Sequence, residues 1–219
     1  MLRAKNANPV ISYKNLRRLV GILGMVLPLV CFLGGKLFGH LPIQRSLSYY
    51  YYTNVRDIVV GVLVSVGVFL ITYNGYEKID SLVCKTTGIA GLTAAVFPCL
   101  FEEAPLVPVG FFQLLPKVSN IVHLIAAVLF FVLLAVNSLF IFTLSNNRKG
   151  MTKNKKIRNG IYIACGLLIL LSLLALLIVY LTVDPAVRTE KHLIFIFETI
   201  MLEAFGISWL VKGATFFKD

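Results

Sequence analysis

The chain has 219 residues, of which 58% are hydrophobic and 14% are charged, and its mean hydropathy is +0.85. Soluble domains are about 45–50% apolar and about 25% charged, so this composition excludes an ordinary soluble protein and a disordered chain. The apolar residues fall in long runs, and no gap between runs would accommodate a soluble domain of about 50 residues. We therefore expect a single membrane domain over residues 1–219.

Six apolar runs approach or exceed the length of about 20 residues that a membrane-spanning helix needs. The first run follows a basic start with Arg3, Lys5 and Lys14 and has no cleavage site after it, which predicts a retained anchor and not a signal peptide. The runs cover residues 16–38, 57–75, 82–101, 119–144, 159–182 and 192–212. They predict an all-α fold, a polytopic bundle of six transmembrane helices.

Lys and Arg residues are distributed unevenly among the segments that flank these runs. If the spans alternate in direction, fifteen of the 21 lie on one side of the membrane, including those of the basic stretch 148–158. Because cytoplasmic segments are enriched in Lys and Arg, we expect both the N and the C terminus to be cytoplasmic. The same bias accounts for the net charge of +11, so the expected partners are membrane lipids and not nucleic acid.

Small residues and prolines within the runs predict how the helices pack. Small residues let two helix backbones approach closely, and three runs contain such pairs: Gly21 with Gly24, Gly61 with Ser65, and Gly88 with Gly91. Prolines inside two runs free a backbone carbonyl and can kink the helix, as at Pro28 and Pro98. The four cysteines lack C-x-x-C spacing and are expected to be packing residues: Cys31, Cys84, Cys99 and Cys165.

Ionisable residues at membrane depth are the strongest indication of a functional site. A charge near the bilayer centre costs at least about 2.5–3.5 kcal/mol, so such a residue usually faces protein or water. In the last run, Glu198 lies about 9 Å and Glu203 about 16 Å from the outer end, at 1.5 Å per residue. The two carboxyl groups are about 140° apart around the helix axis, so we expect them to face different neighbours.

A cluster of polar residues immediately precedes the second run, in the segment S-L-S-Y-Y-Y-Y-T-N-V-R-D. An aromatic belt at the membrane interface explains the tyrosines equally well. By depth alone, Ser48, Asp57, His123 and Glu198 could converge on one outward-facing polar pocket. The segment that begins with Glu102 is either an interfacial stretch or a lid over that pocket, with Glu102 or Glu103 on its rim. The candidate ligand-binding residues are Ser48, Tyr51, Arg56, Asp57, His123, Glu198 and Glu203.

Three segments of the sequence resemble those of a group of uncharacterised bacterial six-span membrane proteins: S-L-S-Y-Y-Y-Y-T-N-V-R-D-I-V-V-G, Y-N-G-Y-E-K-I-D and E-A-F-G-I-S-W-L-V-K-G. This resemblance spans most of the chain and implies a multi-pass protein of the bacterial inner membrane, without a known activity. The Ser, Asp and His residues near span ends also resemble, more weakly, those that hold zinc in alkaline ceramidase-type membrane hydrolases. The late His-x-x-x-His pair of those hydrolases is absent, since the only histidines are His40, His123 and His192.

Two hypotheses of function follow. In the first, the protein binds or moves a lipid or small solute through the outward-facing pocket, and no cofactor is predicted. In the second, it is an intramembrane lipid hydrolase that uses Ser, Asp and His residues at the outer leaflet, with zinc as a possible metal. No G-x-S-x-G, H-E-x-x-H, Walker or dinucleotide motif is present, and the sequence assigns no catalytic residue, no metal ligand and no oligomeric state.

Overall fold

The computed structural model describes residues 13–75, 77–101, 107–144 and 152–216. In these ranges the chain is helical, apart from turns and one isolated β-bridge between Val109 and Leu114. A 3-10 helix (Ser48–Tyr52) precedes α2, and a π-helical turn (Asn137–Ile141) extends α4. The α-helices are α1 (Tyr13–Phe38), α2 (Arg56–Thr72), α3 (Lys78–Val96), α4 (Pro116–Val136), α5 (Lys153–Thr182), α6 (Pro185–Glu190) and α7 (Leu193–Lys212).

Five of these helices are long and apolar enough to cross a membrane: α1, α3, α4 with its π-helical turn, α5 and α7. Helix α2 has 17 residues and a length of about 25 Å, slightly less than the hydrocarbon thickness of about 30 Å. The prediction of an all-α membrane protein is confirmed, and each of the six predicted runs overlaps one of the longer helices, five of which have the length and composition of a span. The short α6, which starts at Pro185 after the Asp184 N-cap, was not predicted.

The six longer helices form a ring in the order α1, α2, α3, α4, α5, α7, and α7 packs back against α1. Successive members alternate in direction. At one end, which we call the Arg18 end, Arg18 Nε donates to the Gly213 carbonyl at 3.0 Å and joins the start of α1 to the end of α7. At the opposite end, the Ser48 end, Asn54 Nδ2 donates to the Gly34 carbonyl at 3.1 Å.

Glycines allow the closest helix crossings. A Cβ atom on Gly21 of α1 would lie 2.7 Å from the carbonyl oxygen of Gly206 in α7, and one on Gly67 of α2 would lie 3.0 Å from that of Gly88 in α3. These contacts confirm that small residues of the first and third runs mediate packing. The predicted contact at Gly61 is wrong, because a Cβ atom there would meet nothing within 4 Å.

Aromatic side chains fill the bundle at the Arg18 end. Trp209 is 1% exposed, and its ring centroid lies 5.2 Å from that of Phe142, 5.5 Å from that of Phe69 and 5.6 Å from that of Tyr73. The interior is therefore densely packed at this end.

All four cysteines are buried free thiols, which agrees with the prediction that they are packing residues.

Replacement of Gly206 by alanine should destabilise the bundle. The added methyl group would overlap Met25 and lie 2.6 Å from the Gly21 carbonyl oxygen. Overpacking costs about 1–3 kcal/mol, which exceeds the gain of about 1 kcal/mol in helix propensity when alanine replaces glycine. We expect Gly206→Ala to lower the thermal unfolding midpoint in mild detergent, measured by circular dichroism.

Gly61→Ala is the matched control, since both changes add one methyl group to a helical glycine and Gly61 has free space beside it. Its midpoint should equal or exceed that of the wild type. Equal midpoints for the two variants would contradict the close contact between α1 and α7.

Candidate functional site

A cavity lies inside the ring at the Ser48 end. It is bounded by α1, α2, α3, α4, α7 and the segment that joins α1 to α2. Four of the seven predicted candidates line it: Ser48, Tyr51, His123 and Glu198. Most of the other lining residues are apolar, among them Leu27, Leu47, Val59, Leu63, Phe130 and Leu202. The structure therefore brings four of the seven predicted residues together around one mainly apolar cavity.

The position of His123 depends on the way α3 ends. Pro98 has no N–H group, so the carbonyl of Ala94, four residues earlier, lacks the donor that would continue the helix. His123 Nδ1 lies 3.0 Å from the Ala94 oxygen and 2.8 Å from the Phe97 oxygen. Both carbonyls are acceptors only, so in the neutral form of the ring it is Nδ1 that carries the hydrogen and donates to them. The imidazole is thereby fixed in orientation and tautomer.

The other ring nitrogen of His123 faces Ser48. The Nε2 atom lies 3.0 Å from Ser48 Oγ, and His123 is only 7% exposed. Because Nδ1 carries the hydrogen, Nε2 accepts a hydrogen bond from the serine hydroxyl. A serine hydroxyl, an imidazole and the carbonyls that orient the imidazole are therefore in contact, with the carbonyls in the place that a carboxylate takes in many serine–histidine pairs.

Glu198 joins the segment before Ser48 to α7. Its Oε2 atom accepts a hydrogen bond from the Leu47 N–H at 2.6 Å. Three residues earlier in α7, the Phe195 N–H donates to the Arg45 carbonyl at 3.1 Å. Phe195 lies in the first turn of α7, where N–H groups have no acceptor within the helix. These two bonds hold the backbone at Arg45 and Leu47, immediately before Ser48, and so position the serine.

Arg56 is connected to the cavity through Tyr51. Its Nη2 atom donates to the Tyr51 hydroxyl at 2.8 Å, and its guanidinium carbon lies 4.4 Å from the centroid of the Tyr51 ring. Arg56 itself is exposed.

The neighbouring Tyr52 donates its hydroxyl hydrogen to the Cys99 carbonyl at 2.6 Å. Burial raises the pKa of this phenol, so the hydroxyl keeps that hydrogen.

Two predicted candidates lie away from the cavity. Asp57 is exposed at the start of α2, two residues from the buried N-cap residue Val55 and two from the buried Val59. Two residues correspond to about 200° around the helix, so Asp57 is on the opposite face and does not point inward. Glu203 is half-buried on a different side of α7 from Glu198, as their angular separation predicts. The predicted rim residues Glu102 and Glu103 lie outside the described residues.

Two supporting side chains were missed in the sequence. Ser119 Oγ donates to the Pro98 carbonyl at 2.8 Å, and Asn120 Oδ1 accepts from the Leu100 N–H at 2.9 Å. Both residues lie about one turn before His123 in α4, and they hold the chain after Pro98 against that helix. Their position one helical turn from a histidine at membrane depth was the feature of the sequence that could have indicated this supporting role.

The metal-binding side chains that the structure describes at this site do not form a metal centre. Among residues 13–75, 77–101, 107–144 and 152–216, no three His, Cys, Asp or Glu side chains are grouped so that they could hold a metal ion. The chain matches no protein-family model, no curated protein and no solved structure. The chemistry available at the site therefore depends on the geometry of Ser48, His123 and Glu198.

Loss of the Glu198 carboxylate should loosen the segment that carries Ser48. In Glu198→Leu the Leu47 N–H loses its acceptor, and a buried donor left unsatisfied costs about 1–3 kcal/mol. We expect faster hydrogen–deuterium exchange over residues 45–52, measured by mass spectrometry. Glu198→Gln retains an acceptor oxygen and should exchange at nearly the wild-type rate. Wild-type exchange in Glu198→Leu would show that this hydrogen bond does not hold the segment.

Proposed function

We propose that this protein binds or moves a lipid or a small solute through the cavity at the Ser48 end. The convergence of Ser48, His123 and Glu198 on an otherwise mainly apolar cavity carries this proposal. Ligand sites are typically apolar spaces in which a few placed polar groups fix the orientation of the ligand. An amphiphile whose polar group reaches these three residues and whose apolar part contacts Leu63 and Phe130 fits this arrangement.

The proposal includes six spans in the bacterial inner membrane, with the Arg18 end and both termini in the cytoplasm. Helix α2 would be the sixth span, because it occupies a place in the ring between α1 and α3 although it has only 17 residues. The excess of Lys and Arg in the segments that flank the Arg18 end supports this orientation. The cavity would then lie in the outer half of the membrane, within reach of lipids of the outer leaflet.

Binding is favoured over transport coupled to a carboxylate at mid-depth. Coupled transporters often use an ionisable residue within the membrane along the substrate pathway. Here the carboxylate nearest the middle of α7 is Glu203, which does not line the cavity, whereas Glu198 is engaged by the Leu47 N–H.

A bulky side chain inside the cavity should displace the ligand. Ala127 and Leu124 are both on α4, but Ala127 lines the cavity whereas Leu124 is exposed on the outside. We expect Ala127→Phe to reduce at least tenfold the amount of lipid or solute that remains bound after purification in mild detergent. Native mass spectrometry and analysis of the extracted lipids would measure this amount. Leu124→Phe should leave it unchanged, and an unchanged amount in Ala127→Phe would contradict binding in this cavity.

The hydrogen bond between Ser48 and His123 favours a second candidate, a hydrolase that acts on an ester of a membrane lipid. Ser48 Oγ would attack the ester carbonyl while His123 Nε2 takes the hydroxyl proton, which then passes to the leaving alcohol. Water would attack the resulting acyl-serine and release the fatty acid. The anchoring of His123 Nδ1 by the Ala94 and Phe97 carbonyls supports this role, because a base must be held in the correct tautomer.

A lipid-soluble fluorophosphonate distinguishes the two candidates, because it forms an O–P bond with an activated serine and releases fluoride. The hydrolase predicts labelling of Ser48, which Ser48→Ala abolishes and His123→Gln slows by about 10²–10⁴-fold. Ser65→Ala is the control, since Ser65 is exposed on α2 and its hydroxyl donates to the Gly61 carbonyl of the same helix. No labelling, or equal labelling in Ser48→Ala, would leave ligand binding as the function of the cavity.

A further inference from the structure

The outer face of α7 contains one carboxyl group in a row of isoleucines. Ile196, Ile200, Glu203 and Ile207 follow each other at intervals of four, three and four residues, so they share one side of the helix. Ile196 and Ile207 are 45% and 40% exposed, and they flank Glu203 on both sides along the axis. This side therefore faces away from the interior of the ring. In a monomer it would be in contact with lipid chains.

Glu203 is in an unusual position for an ionisable residue. It is the eleventh of the 20 residues of α7, and therefore about 15 Å from either end at 1.5 Å per residue. It forms no hydrogen bond or ion pair within the part of the chain that the structure describes. A carboxyl group in hydrocarbon without a hydrogen-bond partner is costly, and such residues normally face protein.

We propose that Glu203 marks an interface with a second copy of this chain, which packs against the outer face of α7. Two copies that insert in the same orientation place their Glu203 residues at the same depth. A carboxylic acid group contains both a donor and an acceptor, so two of them related by a two-fold axis can form a reciprocal hydrogen-bonded pair. The face therefore has the chemistry to satisfy itself, and no other side chain needs to be supplied.

The surroundings of Glu203 also fit a second copy. The isoleucines of the stripe allow a second copy to approach, because no polar or charged side chain among them would have to lose a partner, and the Glu203 pair then supplies the interhelical hydrogen bonds. Helix α1, which crosses α7 at Gly21 and Gly206, adds further exposed apolar side chains to the outside of the bundle, including Ile22, Val26 and Leu29. This interface does not involve the cavity and is independent of the function proposed for it.

The mass of the purified protein in mild detergent and in lipid nanodiscs tests the proposal, by light scattering and native mass spectrometry. We expect a wild-type dimer. Glu203→Leu should raise the dissociation constant about tenfold, because a hydrogen bond between transmembrane helices contributes modestly to association. Glu203→Gln should remain a dimer, since an amide also has both a donor and an acceptor. The thermal unfolding midpoint of the monomeric fraction checks that Glu203→Leu is folded.

Oxidative cross-linking gives a second readout. Ile207→Cys should yield a disulfide-linked dimer, whereas Leu171→Cys, on the lipid-facing side of α5 and 61% exposed, should yield no more than the wild-type background. Three results would overturn the proposal: a wild-type monomer in both detergent and lipid, an unchanged dissociation constant in Glu203→Leu, or equal cross-linking of the two cysteine variants. A different protein bound at Glu203 in place of a second copy would also overturn it.

Discussion

Backbone carbonyls inside a membrane protein need a hydrogen-bond donor, and Pro98 leaves the Ala94 carbonyl without its helical one. His123 supplies the donor from α4. This requirement joins α3 to α4, fixes the imidazole ring and directs its second nitrogen at Ser48. A single unpaired backbone carbonyl thus contributes to the contact between two helices and orients the imidazole that meets Ser48.

The two ends of the ring differ in how their interior is filled. At the Arg18 end, the rings around Trp209 occupy the space between the helices. At the Ser48 end, the chain between α1 and α2 folds back into the ring, and Glu198 holds it there through the Leu47 N–H. The cavity lies between that segment and apolar residues nearer the middle of the helices, such as Leu63 and Phe130. Its polar side chains therefore lie towards the Ser48 end.

The fold was largely predictable from the sequence, because apolar runs of membrane length follow from composition and hydropathy. The glycine contacts were predictable only in part. Gly21 and Gly61 look alike in the sequence, yet Gly21 meets α7 and Gly61 has free space beside it. Spacing alone does not specify which face of a helix meets a neighbour when nearly every residue of that helix is apolar.

The candidate site was predictable as a set of residue types at one depth, and Ser48, His123 and Glu198 do meet there. The orientation of Asp57 was not predictable, because nearly every later residue of α2 is apolar and the sequence does not indicate which face of this helix is buried. The roles of the Ala94 and Phe97 carbonyls were also hidden, since backbone groups have no sequence signature other than the proline that frees one of them.

The position of α7 in the ring has a consequence for the assembly of the protein. Helix α7 follows the other five ring helices in the sequence, yet it packs between α5 and α1. Because those helices are synthesised first, the Gly21 face of α1 lacks its partner until α7 has been made. Glu198 and Leu202 then complete the wall of the cavity. The cavity is therefore complete only when the last of the six ring helices has joined the other five.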